Sequence, residues 1–377
     1  MNIRIAETMS GFKDFLKKKD IEISAKRYGV DALGAMARGL FASLLIGTII
    51  NTIGSLFHIP FLENPIATVA GVDYTVGGLC TAMSGPAMAC AIGYALKAPP
   101  LVLFSLITVG FGANALGGAG GPLAVLFIAI IAAEIGKLVS GSTKVDIIVT
   151  PIVTIGVGIF FSWLIAPPIG AGAMKVGEFI MWATELQPFF MGIIVSVLVG
   201  VALTLPISSA AICAAFSLTG LAGGAAVAGC CAQMIGFAVM SFRENKWGGL
   251  LSQGIGTSML QMGNIVRNPR IWLAPIITSA ITGPIATCVF KLRMDGPAVS
   301  SGMGTCGMVG QIGVYTGWAN DIAAGTMERI TAFDHAGVWL ISIVLPAVIC
   351  PLINMIFRRI GWVKDGDLKL GKREEEN

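Results

Sequence analysis

Charge is scarce in this sequence. Only 12% of its 377 residues are Asp, Glu, Lys or Arg, against roughly 25% in a soluble domain. That shortage excludes an ordinary water-exposed fold. Histidine is almost missing, with 2 residues. The eight cysteines (Cys80, Cys90, Cys213, Cys230, Cys231, Cys288, Cys306 and Cys350) all lie in apolar segments. None forms a C-x-x-C pair with His nearby, so no zinc site is expected and the thiols read as small packing residues. No Walker loop, HExxH or GxSxG is present, which excludes ATP-driven work within this chain. No metal or cofactor is expected. The first 24 residues are polar and start no cleavable apolar core, so no signal peptide is expected.

What the chain has in excess is apolar length. It is 55% hydrophobic, with a mean hydropathy of +0.82. Segments 147–174, 99–133 and 186–242 carry no charge at all; they run for 28, 35 and 57 residues. A spanning helix needs about 20 apolar residues. The longest run must therefore fold back within the bilayer or cross it more than once. The chain reads as an all-α polytopic protein embedded in the lipid bilayer of the cell membrane.

The few charges are segregated. Arg4, Lys13, Lys17, Lys18, Lys19, Lys26 and Arg27 crowd the first 31 residues, and Arg358, Arg359, Lys364, Lys369, Lys372 and Arg373 the last 20. The positive-inside rule places both ends in the cytoplasm, so the number of full spans is even. The net charge of +4 comes largely from these ends. It argues for topology and not for nucleic acid. Residues 9–20 have the pattern of a short amphipathic helix on the inner leaflet.

Apolar runs and the turn residues between them predict ten transmembrane helices, at about 33–56, 65–96, 101–116, 121–139, 146–166, 188–206, 247–265, 271–290, 296–318 and 336–357. The second and ninth are interrupted by Gly and Pro and read as broken. The run SLTGLAGGAAVAGCC is a poor straight helix, so 207–241 reads as a re-entrant hairpin on the cytoplasmic side. Arg267 and Arg270 fall on the outer side unless 247–266 is itself re-entrant.

Irregular backbone survives in a membrane only where it is buried in protein or lines a wet cavity. The irregular segments here also concentrate neutral hydrogen-bonding side chains. Thr257, Ser258, Gln261 and Asn264 lie in GIGTSMLQMGNIVRNP (254–269), and Ser208 and Ser209 in the presumed hairpin opposite. Amides and hydroxyls can replace water on a sugar's hydroxyls without burying a charge. Ser and Thr also serve simply to join helices; Gln and Asn are costlier in a membrane unless used. Among ionisable residues, Asp73 lies in the broken second span with no obvious partner. That makes it a candidate for shaping or gating a site. Glu134 sits one turn from Lys137 and reads as an interfacial ion pair. Asp334–His335 could handle protons but lies at a loop edge.

Four stretches carry a family resemblance: NPIATVAGVDYTVGG (64–78), VDIIVTPIVTIGVG (145–158), LTLPISSAAI (203–212) and GTSMLQMGNIVRNPRIWLAPIITSAITGPIA (256–286). Over about 30–360 the chain resembles the EIIC membrane components of the bacterial phosphotransferase system, type 2, the branch that includes the perfringolysin O regulator-like proteins. The resemblance implies a homodimeric sugar transporter. A cytoplasmic segment, 1–31, precedes an EIIC-like domain, 32–358, and a tail, 359–377, follows it. A scaffold half (about 32–187) and a substrate half (about 188–358) make up the domain, and re-entrant hairpins in the substrate half cradle the sugar. A separate phosphorylated IIB protein would donate phosphate at the cytoplasmic face. The chain departs from the family in two ways. No IIA or IIB domain is expected in it, and it lacks the acidic residue that many relatives place in the sugar-binding motif, where Gln261 is the nearest polar residue. Glutamine holds a hydroxyl but cannot act as a base.

Three functional readings follow. The first is an EIIC-like permease for a neutral polar solute, with Gln261, Asn264, Ser258, Thr257, Ser208 and Ser209 at the site and Asp73 shaping it. The second is a membrane sensor that keeps the cavity but transports little. The third is a proton-coupled transporter using Asp73 or Asp334–His335.

Overall fold

The computed structural model describes residues 15–371. Parts of both terminal segments, including residues 9–14 of the expected surface helix, lie outside the described residues. The chain is helical almost throughout, and six helical stretches among the described residues are apolar and long enough to cross a membrane.

Helix α1, Arg27–Ser55, is antiparallel to a broken partner, α2 (Val76–Ala82) and α3 (Ser84–Ala95), which bends by 51° between its two pieces. Gly39 packs on Ala87 and Gly47 on Gly77 along this pair. The break expected in the second span is therefore real, but its start differs. Residues 67–74 form an antiparallel hairpin, β1 (Ala67–Val69) with β2 (Val72–Tyr74), paired Ala67↔Tyr74. Gly71, at φ +81°, makes that turn.

The long stretch 100–139 is not one helix. Gly118, at φ +51° and ψ −122°, reverses the chain between α4 (Pro100–Gly117) and α5 (Gly121–Val139), so that Gly136 comes back against Val102. This is the tight GGAGG turn expected from sequence. Helix α6, Asp146–Thr184, packs its Gly158 on Val109 and its Gly170 on Gly117. It runs well past the predicted end at 166, across Pro167 and Pro168.

A charged cluster closes the base of this group. Arg27 Nη2 and Lys137 Nζ both donate to the Leu96 carbonyl, at 2.8 and 3.0 Å. Those bonds satisfy the carbonyl left open where α3 ends. Lys137, only 1% exposed, pairs with Glu134 at 2.9 Å, as the sequence reading expected. The Tyr28 hydroxyl donates to the other Glu134 oxygen at 3.0 Å. A hydrogen bond from Arg27 holds the Asp20 carboxyl below its usual pKa. Breaking a buried ion pair leaves a buried charge uncompensated. Lys137→Met is expected to cost about 3–5 kcal/mol, while Lys137→Met with Glu134→Leu recovers most of that loss. Thermal unfolding of the purified protein in detergent checks the ranking.

Helix α7, Pro188–Thr204, leads to a short fold-back containing α8, Ser209–Ala215, and then to α9, Gly220–Met240. Here the structure corrects the sequence reading. The Gly-rich run does not break into a hairpin. It forms one 21-residue helix, most of it buried within the protein. Its glycines let other backbones approach: Gly229 meets Ser196 of α7, and Gly224 meets Leu292. In a membrane, close van der Waals packing of small residues holds helices together, so glycine here marks contact and not a turn. α7 and α9 run parallel, with Ser196 beside Gly229 and Thr204 beside Gln233.

Two segments expected to cross do not. The first comprises α10 (Phe242–Leu251), a π turn and a 3-10 turn through 252–261, and α11 (Met262–Arg267). Its tip, Gly256, lies against Phe41 midway along α1. Both legs open on the face that carries Arg27: Gly263 returns to Val30, and Asn245 and Asn268 both bond to the chain's end at 362–368. Arg267 and Arg270 thus lie on the same face as Arg27 and Arg358, and not on the far side that a full crossing would give them. Helix α12, Pro269–Val289, then runs to the opposite face.

The second is 295–323, which ends in α13, Val309–Ala323. Its legs lie together at the far face, where Gly317 meets Asp295 and Gly313 meets Ser300. Its tip, around Gly307, reaches Thr48 and Ile49. Helix α14, Ala332–Arg359, returns to the basic face, where Arg358 pairs with Glu244 at 2.7 Å.

Candidate functional site

The two re-entrant hairpins enter from opposite faces and touch at their tips. Thr305 Oγ1 of the second donates to the Gly254 carbonyl of the first at 2.5 Å. The first tip is built by an abrupt change of backbone. Thr257 is extended, at φ −158° and ψ 142°, and its side chain accepts from the Met259 N–H at 3.1 Å, starting the 3-10 turn. Gly256 ahead of it is pressed on the Phe41 ring, with no room for a side chain.

Beside this tip lies a buried neutral network. Ser258 Oγ is 2.8 Å from Thr204 Oγ1. Thr204 donates to Gln233 Oε1 at 3.2 Å, as does Trp272 Nε1 at 2.9 Å. Gln233 Nε2 reaches Ser279 Oγ at 3.3 Å. Thr204, Gln233, Ser258 and Ser279 are all fully buried. Each polar group finds a partner, as burial demands. The arrangement supplies both hydroxyl and amide donors and acceptors, and no charge.

The remaining sequence candidates fall elsewhere. Gln261, fully buried, donates from Nε2 to Gln253 Oε1 at 2.8 Å and to the Leu368 carbonyl at 3.0 Å. Its Oε1 accepts from Asn264 Nδ2 at 2.7 Å, and Asn264 also donates to the Lys369 carbonyl at 3.0 Å. These two amides therefore face the C-terminal segment at the basic face. Ser208 caps α8 by accepting from the Ala211 N–H at 3.1 Å. Ser209 donates to the Gly302 carbonyl of the second hairpin at 2.7 Å. Asp73 is exposed in the β-hairpin and accepts from Thr68 at 2.6 Å. It lies at the far face, outside the polar interior. Asp334 does not bond to His335. It completes a capping box with Thr331, and His335 Nδ1 meets the Tyr315 hydroxyl at 3.0 Å.

The structure thus brings Thr257 and Ser258 to the meeting of the tips, sets Gln261 and Asn264 one layer toward the basic face, and leaves Asp73 apart. Sequence reasoning passed over Thr204, Gln253, Trp272 and Ser279. Thr204 and Ser279 looked like ordinary helix hydroxyls.

The family model of the phosphotransferase system EIIC component matches residues 30–370. The chain belongs to that family. No curated protein and no solved structure matches it. As an EIIC chain it is a membrane component of a phosphotransferase transport system. The match runs from the start of α1 to the segment that bonds Gln261 and Asn264, so both hairpins and the C-terminal segment belong to the family region.

Proposed function

We propose that this EIIC chain carries a neutral hydroxylated solute, a sugar, across the membrane. Its substrate half, about 188–358, moves against a scaffold half, about 32–187, through which two copies pair. The observation that carries this reading is the tip-to-tip contact of Thr305 with Gly254 beside the uncharged Thr204–Ser258–Gln233 network. The two hairpins, each open to a different face, are joined there by the Thr305–Gly254 hydrogen bond. Separating or shifting the tips exposes hydroxyls and amides to a solute from one side at a time. Broken segments at the midplane are the usual substrate sites of transporters. Thr257 and Ser258 meet the solute there. Gln261 and Asn264 receive it on the basic side, and Ser208 and Ser209 steady the second hairpin. The face carrying Arg27, Arg267, Arg270 and Arg358 is the cytoplasmic one by the positive-inside rule, and a separate IIB protein would dock there. Gln261 can hold a sugar hydroxyl but offers no base to take its proton.

A second reading, a sensor that binds without transporting, draws support from one feature. The Leu368 and Lys369 carbonyls occupy the Gln261 and Asn264 amides, which links the site to the chain's end.

Uptake of labelled sugars into proteoliposomes tests both. Uptake that is indifferent to a pH gradient and falls at least about ten-fold in Ser258→Ala/Thr204→Val is the expected result, since each lost hydrogen bond to a buried partner costs about 1–3 kcal/mol. Binding with no flux in the unaltered protein would favour the sensor. Flux driven by the gradient would overturn the phosphotransfer reading.

A further inference from the structure

A cavity lies away from the tips, on the far face. It is a cleft of about 480 Å³ lined by Phe290, Lys291, Arg293, Trp318, Asp321 and Asp334, with Leu292, Thr326 and Met327. That volume falls within the roughly 300–1,000 Å³ of small-molecule sites. Its walls come from the segment that follows α12 (290–293), the outer end of α13 (Trp318 and Asp321), the loop after it and the first turn of α14, so a molecule filling it lies beside the returning leg of the outer hairpin.

The chemistry of the walls is selective. Arg293 is neutralised by Asp295, with Nε to Oδ2 at 2.7 Å. Asp334 spends one oxygen on the Thr331 N–H and hydroxyl. Asp321 accepts weakly from Thr326 at 3.4 Å. Lys291, exposed and held at φ +46°, has no partner among the described residues. The cleft with Asp295 is therefore one unit negative. It offers carboxylate acceptors and one unused ammonium above an apolar floor of Phe290 and Trp318. Hydroxyls fit those acceptors, and the C–H faces of a ring fit the floor. A second negative charge finds two carboxylates facing it.

We propose that this cleft is an outer capture site for the unphosphorylated sugar, and that it discriminates against sugar phosphates. This deepens the transport reading and rests on it for the identity of the solute.

The test uses Thr326→Cys in a Cys288→Ser background, reconstituted in liposomes and labelled with a membrane-impermeant maleimide. Glucose, mannitol, N-acetylglucosamine, cellobiose and glucose 6-phosphate serve as probes. The sugar taken up in the transport assay is expected to slow labelling, and glucose 6-phosphate to leave it unchanged. Lys291→Ala and Asp321→Asn should each raise the half-protecting concentration about ten-fold. Asp334 is left intact because its capping box supports the fold. Ser258→Ala should lower uptake and keep the protection. Uptake of a sugar that does not protect overturns the capture site and leaves the transport reading standing. Protection without uptake keeps the cleft and overturns transport. If no probe is taken up or protects, both fall.

Discussion

Gly229→Val is expected to prevent stable folding. A Cβ at this position lies 2.5 Å from the Ser196 carbonyl carbon and 2.7 Å from its Cα. Those are backbone atoms of a neighbouring helix and cannot rotate away. α7 and α9 would have to part along their contact, and Ser196 would lose its bond to the Ser279 carbonyl at 2.8 Å. Overpacking a core ordinarily costs about 1–3 kcal/mol. A clash with backbone belongs at or above the top of that range. Gly172→Val is the control, because nothing lies within 4 Å of the added Cβ there. Unfolding in detergent should show a large loss for Gly229→Val and little for Gly172→Val. Equal stability of the two variants would show that α7 and α9 are not in contact.

Removal of residues 360–377 is expected to loosen the hairpin 242–267 without unfolding the protein. The deletion takes the Leu368 carbonyl from Gln261 and the Lys369 carbonyl from Asn264. It also takes the Trp362 carbonyl and Asp367 from Asn268. It exposes the surface covered by Val363 and Leu368, which are 2% and 0% exposed. Burial of two such side chains is worth about 1.5–3 kcal/mol each, and water can reach the freed amides from the open side. Amide exchange across 245–268 should therefore rise at least about ten-fold, while 220–240 stays protected. Unchanged exchange across 245–268 would show that the hairpin stands without the tail, and the sensor reading would lose its support.

Some of this was legible in the sequence because it rests on composition. A chain this poor in charge must bury its backbone in helices, and its cations gather at the ends. The GGAGG turn could be read because two apolar runs flank five small residues. The Glu134–Lys137 pair could be read because three residues make almost one helical turn. Family membership was carried by local strings, above all 256–286.

The misreadings share one cause. Glycine was taken for a helix breaker in 217–231, where it is a contact surface. The 247–265 and 296–318 segments were taken for spans because their length and apolar content suffice. Nothing in a linear run says whether its far end crosses or turns back. Asp73 was taken for a membrane carboxylate because it stood alone in sequence, yet its partner, Thr68, is five residues away across a β-turn.

The sequence by itself determined that this is a helical membrane protein of the EIIC family, with a basic face and an unusually polar stretch at 254–269. Those properties are sums over residues or short motifs, and they survive any arrangement of the helices. Only the tertiary structure decided which segments turn back, that their tips meet at Thr305 and Gly254, and that Gln261 bonds to residue 368 across 107 positions of sequence. Each of those facts depends on which backbones approach closely enough to bond, and in a membrane that is decided by packing between small residues far apart in the chain.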